Sequence, residues 1–324
     1  MKNLLKLKGL LLIGFAFVAL SSCSDNTEPV VIPDTTITAL AKATPDLSVL
    51  VQALVKADLA VTLQGNGPYT VFAPTNMAFT TFLAANGFAN LDAVPVAALK
   101  QILLNHVIVG RSSAADLTND RYIKTLANGG AAPTNTLSMY VNKTNGVVLN
   151  GVSKVTVADI NASNGIIHIV DAVIGLPTIV THATANPNFT SLVAALTRTG
   201  NTTNFAGILS GTISSPFTVF APTNTAFTGA LTDLGYANLA AIPEPSLDKI
   251  LKYHVIAGAN VLAAALPSTP TAQNTFLGQT FFIGTTGGAK ITDKLNRVAN
   301  IVSTDVQCSN GVIHVLDKVL VPTL

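Results

Sequence analysis

The chain has 324 residues, 49% of them hydrophobic and only 10% charged, with two cysteines and no tryptophan. That apolar content excludes a disordered chain, and the charge total, 18 basic against 16 acidic residues, supplies no basic stripe for phosphates. Nucleic acid is therefore not an expected partner.

The N-terminus reads as a targeting segment. Lys2, Lys6 and Lys8 precede an apolar run from Leu10 to Leu20, which is too short to span a bilayer. It ends in Ala19-Leu20-Ser21-Ser22-Cys23, a small-residue cleavage site. A cysteine directly after such a site resembles the bacterial lipobox. That resemblance implies a signal peptide over 1–22, cleavage before Cys23, and lipid on the Cys23 thiol. Residues 23–33 then form a lipidated tether rich in turn formers and acids. Ser24, rather than aspartate, follows Cys23, and by resemblance to the enterobacterial sorting pattern this implies an anchor in the outer membrane. Asp25 and Glu28 resemble acidic surface-export signals, so the expected location is the cell surface. Removal of the three lysines leaves 18 − 3 = 15 basic residues against 16 acidic ones, a net charge of −1. Cys308 is then without a disulfide partner and reads as a buried small hydrophobe.

The remaining chain repeats itself. Tyr69-Thr-Val-Phe-Ala-Pro-Thr-Asn-Met-Ala-Phe79 recurs as Phe217-Thr-Val-Phe-Ala-Pro-Thr-Asn-Thr-Ala-Phe227, an offset of 217 − 69 = 148. Asn105-His-Val-Ile-Val-Gly110 recurs as Tyr253-His-Val-Ile-Ala-Gly258 at the same offset. Asn164-Gly-Ile-Ile-His-Ile-Val-Asp171 recurs as Asn310-Gly-Val-Ile-His-Val-Leu-Asp317 at 310 − 164 = 146. A repeat this long is a whole domain. The expected domains are 34–177 and 178–324, joined across Gly175–Asn188.

Within each unit helices come first. Leu47, Leu50, Val51, Leu54 and Val55 have helical spacing after Asp46, the expected cap. Tyr69–Ala73 is a short strand stopped by Pro74. Thr75 or Asn76 caps a helix that carries Phe79, Phe82 and Leu83. Val96, Leu99, Ile102 and Leu103 mark another helix. The stretches 136–142, 147–149, 152–160 and 165–170 are β-branched and read as strands. Helices followed by strands give an α+β class with a largely antiparallel sheet. The Phe72, Phe79 and Phe82 rings, with Phe220 and Phe227, read as core.

The repeated segments resemble the signature segments of the fasciclin (FAS1, or βig-h3) domain, and the match covers residues 34–324. The resemblance implies two tandem domains, each a β-sandwich or wedge with packed helices. It also implies adhesion and matrix contact without shared catalysis. A partner-binding role of the family's Tyr-His pair carries over to Tyr253 and His254 only, because Asn105 stands in the first repeat. His106 otherwise reads as an orienting contact. His168 and His314 sit on strands apolar on both faces and read as structural histidines that need hydrogen-bond partners. Asp171 and Asp317, at strand exits, read as turn-fixing residues.

No zinc, P-loop, nucleophile-elbow or EF-hand pattern occurs, so no catalytic residue, metal or cofactor is expected. Two functions remain. One is a cell-surface or periplasm-facing lipoprotein that binds extracellular matrix, a cell-surface protein or a glycan. The other is a binding protein for a small apolar ligand.

Overall fold

A computed structural model describes residues 34–324. The signal segment, Cys23 and the tether lie outside the described residues.

The first repeat opens with α1 (Ile37–Ala43), α2 (Ser48–Lys56) and α3 (Ala60–Gln64). Strand β1 (Tyr69–Pro74) leads into α4 (Asn76–Ala85) and α5 (Val96–Leu104). The rest is β2 (Val107–Val109), β3 (Arg121–Gly129), β4 (Ala132–Asn142), β5 (Val148–Leu149), β6 (Ser153–Ala162) and β7 (Gly165–Val170). The second repeat follows the same order. It has α6 (Ile179–Ala185), α7 (Thr190–Leu196), α8 (Phe205–Ser210), β8 (Phe217–Pro222), α9 (Asn224–Leu234) and α10 (Glu244–Tyr253). Strands β9 (Val255–Ala257), β10 (Thr271–Asn274), β11 (Thr280–Gly284), β12 (Lys290–Thr292), β13 (Val298–Cys308) and β14 (Gly311–Leu316) complete it.

Each repeat builds one seven-stranded sheet, ordered β2-β1-β7-β6-β5-β4-β3 and β10-β11-β12-β13-β14-β8-β9. The pairs are antiparallel except β1 with β7 and β14 with β8. The sheet bends into a nearly closed wedge, so β1 and β7 are covered on both faces. Val71 and Ile167 pack under the helices with Leu50, Leu54 and Leu103. Phe72 and Val170 point the other way, into the wedge interior with Met139, Val141 and Leu149. This alternation follows the period of two in a strand. It also splits the phenylalanines that the sequence groups together: Phe72 belongs to the wedge core, Phe79 to the helical core, and Phe82 lies at its margin. Cys308 is buried in the second helical core, and burial pushes its thiol pKa up.

The Pro-Thr-Asn signature has a division of labour. The Thr75 hydroxyl accepts from the Ala78 amide and caps α4. Asn76 instead reaches back to α2, where its Oδ1 accepts from the Val49 amide at 2.9 Å. Asp46 is therefore not the cap of α2; it sits in the 3-10 turn Pro45–Leu47 that precedes it. Asn224 serves the Ser191 amide of α7 in the same way.

The two repeats are packed together through the β3–β4 hairpin. The Tyr122 ring lies edge-on to His182 with centroids 5.3 Å apart, and its hydroxyl accepts from Asn186. Lys124 Nζ donates to the Asp305 carbonyl at 2.8 Å. The Gln307 amide donates to Ser138 Oγ at 3.0 Å. Strand β3 was not legible as a strand, because its polar and small residues lack apolar alternation.

Candidate functional site

The polar residues common to the two repeats hold the fold together. Asn164 Oδ1 accepts from the Ile37 amide at 2.9 Å, and its Nδ2 donates to the Leu63 and Gly65 carbonyls. One side chain thus ties α1 and α3 to the start of β7. Asn310 repeats this with Ile179, Leu209 and Gly211. The following glycine is obligatory, since a Cβ on Gly165 would strike the Tyr69 carbonyl and approach Ile37 Cδ1 to 2.8 Å.

His106 closes the far end of the unit. Its Nδ1 lies 2.7 Å from the Ile102 carbonyl, and its Nε2 accepts from the Ile174 amide at 2.9 Å. These contacts set the tautomer, with hydrogen on Nδ1. His254 does the same with the Ile250 carbonyl and the Leu320 amide. Burial holds both rings neutral, lowering each pKa to about 4, although the carbonyl contact opposes the shift. His168 Nε2 lies 2.9 Å from the Ser112 carbonyl, and its Nδ1 accepts from the Asp159 amide. His314 keeps the Nε2 contact, to the Val261 carbonyl at 2.8 Å, but its Nδ1 has no partner. Asp171 accepts from the Lys154 amide and Asp317 from the Asn300 amide, each at 2.7 Å.

Tyr253 and His254 lie inside the fold. The Tyr253 hydroxyl donates to the Thr280 carbonyl at 2.8 Å, and its ring stacks edge-on to Phe281. Both residues are buried and both spend their polar atoms internally. A partner meeting the folded domain finds neither side chain at the surface, which removes the reason to expect contact there.

His182 was missed by sequence reading. It is fully buried between the repeats, no partner meets its ring nitrogens at good hydrogen-bond geometry, and burial lowers its pKa to about 3 although the nearby Ser138 and Gln307 backbone opposes the shift. The available signal was a break in the repeat, because Leu40 occupies the corresponding place in α1.

Among the described residues no group of three His, Cys, Asp or Glu could hold a metal ion, and no helix is long and apolar enough to cross a membrane. What remains at the surface is apolar and differs between the repeats. On β11–β13 the outward row pairs Phe282 with Thr292 and Thr292 with Val298. Phe282 is 47% exposed, Val298 42%, and Leu295 in the adjoining turn 52%. In the first repeat, a groove of about 750 Å³ opens between α4, α5 and the segment 171–176.

The fasciclin-domain family model matches residues 45–177 and again 187–322. The chain belongs to the fasciclin family. Protein sll1483 of Synechocystis sp. is 39% identical over 152 residues, covering 45% of this chain and 74% of that protein. Human periostin is 28% identical over 268 residues, covering 80% of this chain and 29% of periostin. Pig transforming growth factor-beta-induced protein ig-h3 is 28% identical over 269 residues, 80% of this chain and 35% of its own. This chain thus spans about a third of those two animal proteins. A solved FAS1 domain pair from the insect cell adhesion molecule Fasciclin I superposes with a TM-score of 0.50 at 22% identity, covering 85% of this fasciclin chain and 97% of that one. It shares the fold of two tandem wedges.

Proposed function

We propose that this fasciclin protein is an exported surface lipoprotein that adheres to extracellular protein or glycan and catalyses no reaction. The observation that carries the adhesive reading is the outward apolar row on the second repeat, Phe282, Val298 and Leu295, on a sheet whose alternate residues Ile283, Ile291 and Ala299 are buried. Aromatic and aliphatic side chains standing together on a rigid sheet are the ordinary material of a protein interface. The relationship to a cell adhesion molecule supports the same reading. The lipobox-like Leu20–Cys23 segment supports a lipid anchor on Cys23 in the outer membrane, with 23–33 as the tether and 34–177 and 178–324 as the two domains.

The test pairs anchor and face. Cells carrying the wild type, Cys23→Ser, or Phe282→Asp/Val298→Asp are compared for membrane retention and for attachment to matrix-coated and glycan-coated surfaces. The anchor variant should leave the membrane fraction. The face variant should stay anchored and folded yet attach at least fivefold less. Equal attachment by wild type and face variant refutes the adhesive face.

A further inference from the structure

Asparagine followed by glycine occurs six times in the first repeat, at Asn66, Asn86, Asn128, Asn145, Asn150 and Asn164, and once in the second, at Asn310. The dipeptide is chemically weak. Glycine carries no side chain to shield its amide nitrogen, and its backbone turns freely. That nitrogen can reach the carbonyl carbon of the asparagine side chain unless the fold holds one of the two in place.

Six of the seven are held. Asn164 and Asn310 are buried and spend both side-chain atoms on the helices above them. Asn150 is buried, and its Oδ1 accepts from the Tyr140 amide at 2.7 Å. Asn128 lies within β3, where Gly129 is buried and a Cβ on it would press on Leu137 and the Cys308 carbonyl. At Asn86 the side-chain Nδ2 donates to the Phe82 carbonyl at 2.8 Å. The Gly87 amide, the nucleophile there, donates to the Ala84 carbonyl at 3.2 Å. Asn66 is exposed, but Gly67 is wedged against the Asn164 carbonyl and Pro68 follows it.

Asn145 is the exception. It stands exposed in the turn from β4 to β5, and its side-chain amide meets no donor or acceptor among the described residues. Gly146 is exposed too, with φ 86°. A Cβ on it would meet nothing nearer than Lys154 Cε, at 3.6 Å. The bonds around it are local: a bridge between Thr144 and Gly146, and the Thr144 amide on Asn142 Oδ1.

We infer that Asn145 is a self-modifying site that deamidates through a succinimide. The Gly146 amide gives its proton to solvent base, and its nitrogen attacks Asn145 Cγ. The bond from Cγ to the side-chain nitrogen breaks, ammonia leaves with a proton from water, and a five-membered imide closes. Water then adds to one of the two imide carbonyls. Ring opening leaves aspartate or isoaspartate at position 145. One water is consumed and one ammonia released, with no change of oxidation state. The new carboxylate forms beside the Lys154 side chain, which has no acidic partner among the described residues. It takes the net charge without residues 1–22 from −1 to −1 − 1 = −2. The second repeat has Gly287 in the corresponding place, so the change is confined to the first.

The full chain is incubated at mildly alkaline pH, folded and in urea, and sampled at intervals. Peptide mapping by mass spectrometry reads each of the seven positions, and labelling by protein isoaspartyl methyltransferase scores isoaspartate. In the folded chain position 145 should convert at least tenfold faster than any other of the seven, with isoaspartate the main product. In urea Asn150 and Asn164 should rise to within a few-fold of its rate, because the fold no longer holds them. Asn145→Gln should remove the early acidic species from anion-exchange profiles while the far-UV spectrum stays unchanged. Conversion at Asn66 or Asn86 as fast as at Asn145 overturns the assignment. Aspartate without isoaspartate overturns the succinimide route in favour of direct attack by water. A folded chain still unmodified at 145 when the urea sample has converted there overturns the inference as a whole.

Discussion

The two repeats share a strand order and a hydrogen-bonding skeleton, yet they differ in which spaces they leave open. The first repeat seals its helical core to a cavity of about 10 Å³ and leaves the outer groove empty. The second joins α9 to the segment after β14 through Arg297, which binds Asp233, Asp293 and the Val319 carbonyl, and leaves a slot of about 50 Å³ under α6, α7 and α8. The groups common to both, such as Asn164 and Asn310 or His106 and His254, make the fold. The groups that differ are where a particular domain acquires particular behaviour, and each difference has a measurable weight.

The heaviest is the Arg297 link. The Asp293 side chain is 2% exposed and Arg297 21%, so Arg297→Ala leaves a desolvated carboxylate without its counter-charge, held only by the Leu295, Val321 and residue-297 backbone amides. Breaking one side of such a pair costs about 3 kcal/mol. Native-state hydrogen exchange should therefore show the second repeat opening first, with β11–β13 amides losing protection while those of the first repeat keep theirs. A loss below about 1 kcal/mol would mean that the guanidinium merely covers a surface.

The interface histidine comes next. His182 is buried and neutral with a pKa near 3, and His106 and His254 are held near 4. A folded pKa below the unfolded one means the unfolded chain takes up protons first. Stability is thus fully present above about pH 6.5 and is lost as pH falls from there toward 4, by about 1.4 kcal/mol per pH unit for each histidine. His182→Leu places the residue of the first repeat, Leu40, in the second. It removes two poorly satisfied ring nitrogens and should raise stability at pH 7 by about 1 kcal/mol. It should also cut the slope of urea-unfolding stability against pH by the share of one histidine, about 1.4 kcal/mol per pH unit. An unchanged slope would show that His182 is protonated equally in both states.

Much of this skeleton was legible in the sequence, and the reasons are local. Thr75 as a cap, Pro74 as a strand stop and β7 as a strand covered on both faces all follow from residue chemistry within a few positions. So does Cys308 as core. What stayed hidden depends on partners far along the chain. Asn76 looks like a cap for its own helix but serves Val49, 27 residues back. His254 reads as an orienting contact, but which group it orients could not be read, because its ring closes on Leu320, 66 residues on. The family's partner-binding role, carried over to Tyr253 and His254 by resemblance, falls on two buried side chains. The groove was invisible for another reason: its walls come from α4, α5, the segment 171–176 and Thr181 of α6, which only the fold brings together. His182 and Arg297 were detectable only by setting one repeat against the other.

The lightest difference is a single hydroxyl. In the first repeat Thr38 on α1 is buried and donates to the Ala60 carbonyl on α3 at 3.2 Å, stitching the two helices over the sheet. In the second repeat the matching residues are Val180 and Ala206, and valine has no proton to donate. Both line the slot. The extra cavity, 50 − 10 = 40 Å³, corresponds to about 1 kcal/mol at roughly 24 cal/mol per Å³. Val180→Thr is nearly isosteric and restores the donor opposite the Ala206 carbonyl. A regained hydrogen bond contributes about 0.5–1 kcal/mol, against the cost of burying a hydroxyl that arrives already partnered. The variant should therefore melt slightly later, with slower exchange of α6 and α8 amides and reduced xenon uptake in the slot. Val180→Ala enlarges the slot and should move all three readings the opposite way. Were the threonine variant less stable than wild type with unaltered xenon uptake, the two helices would stand too far apart for the stitch, and the slot would be set by the backbone rather than by residue 180.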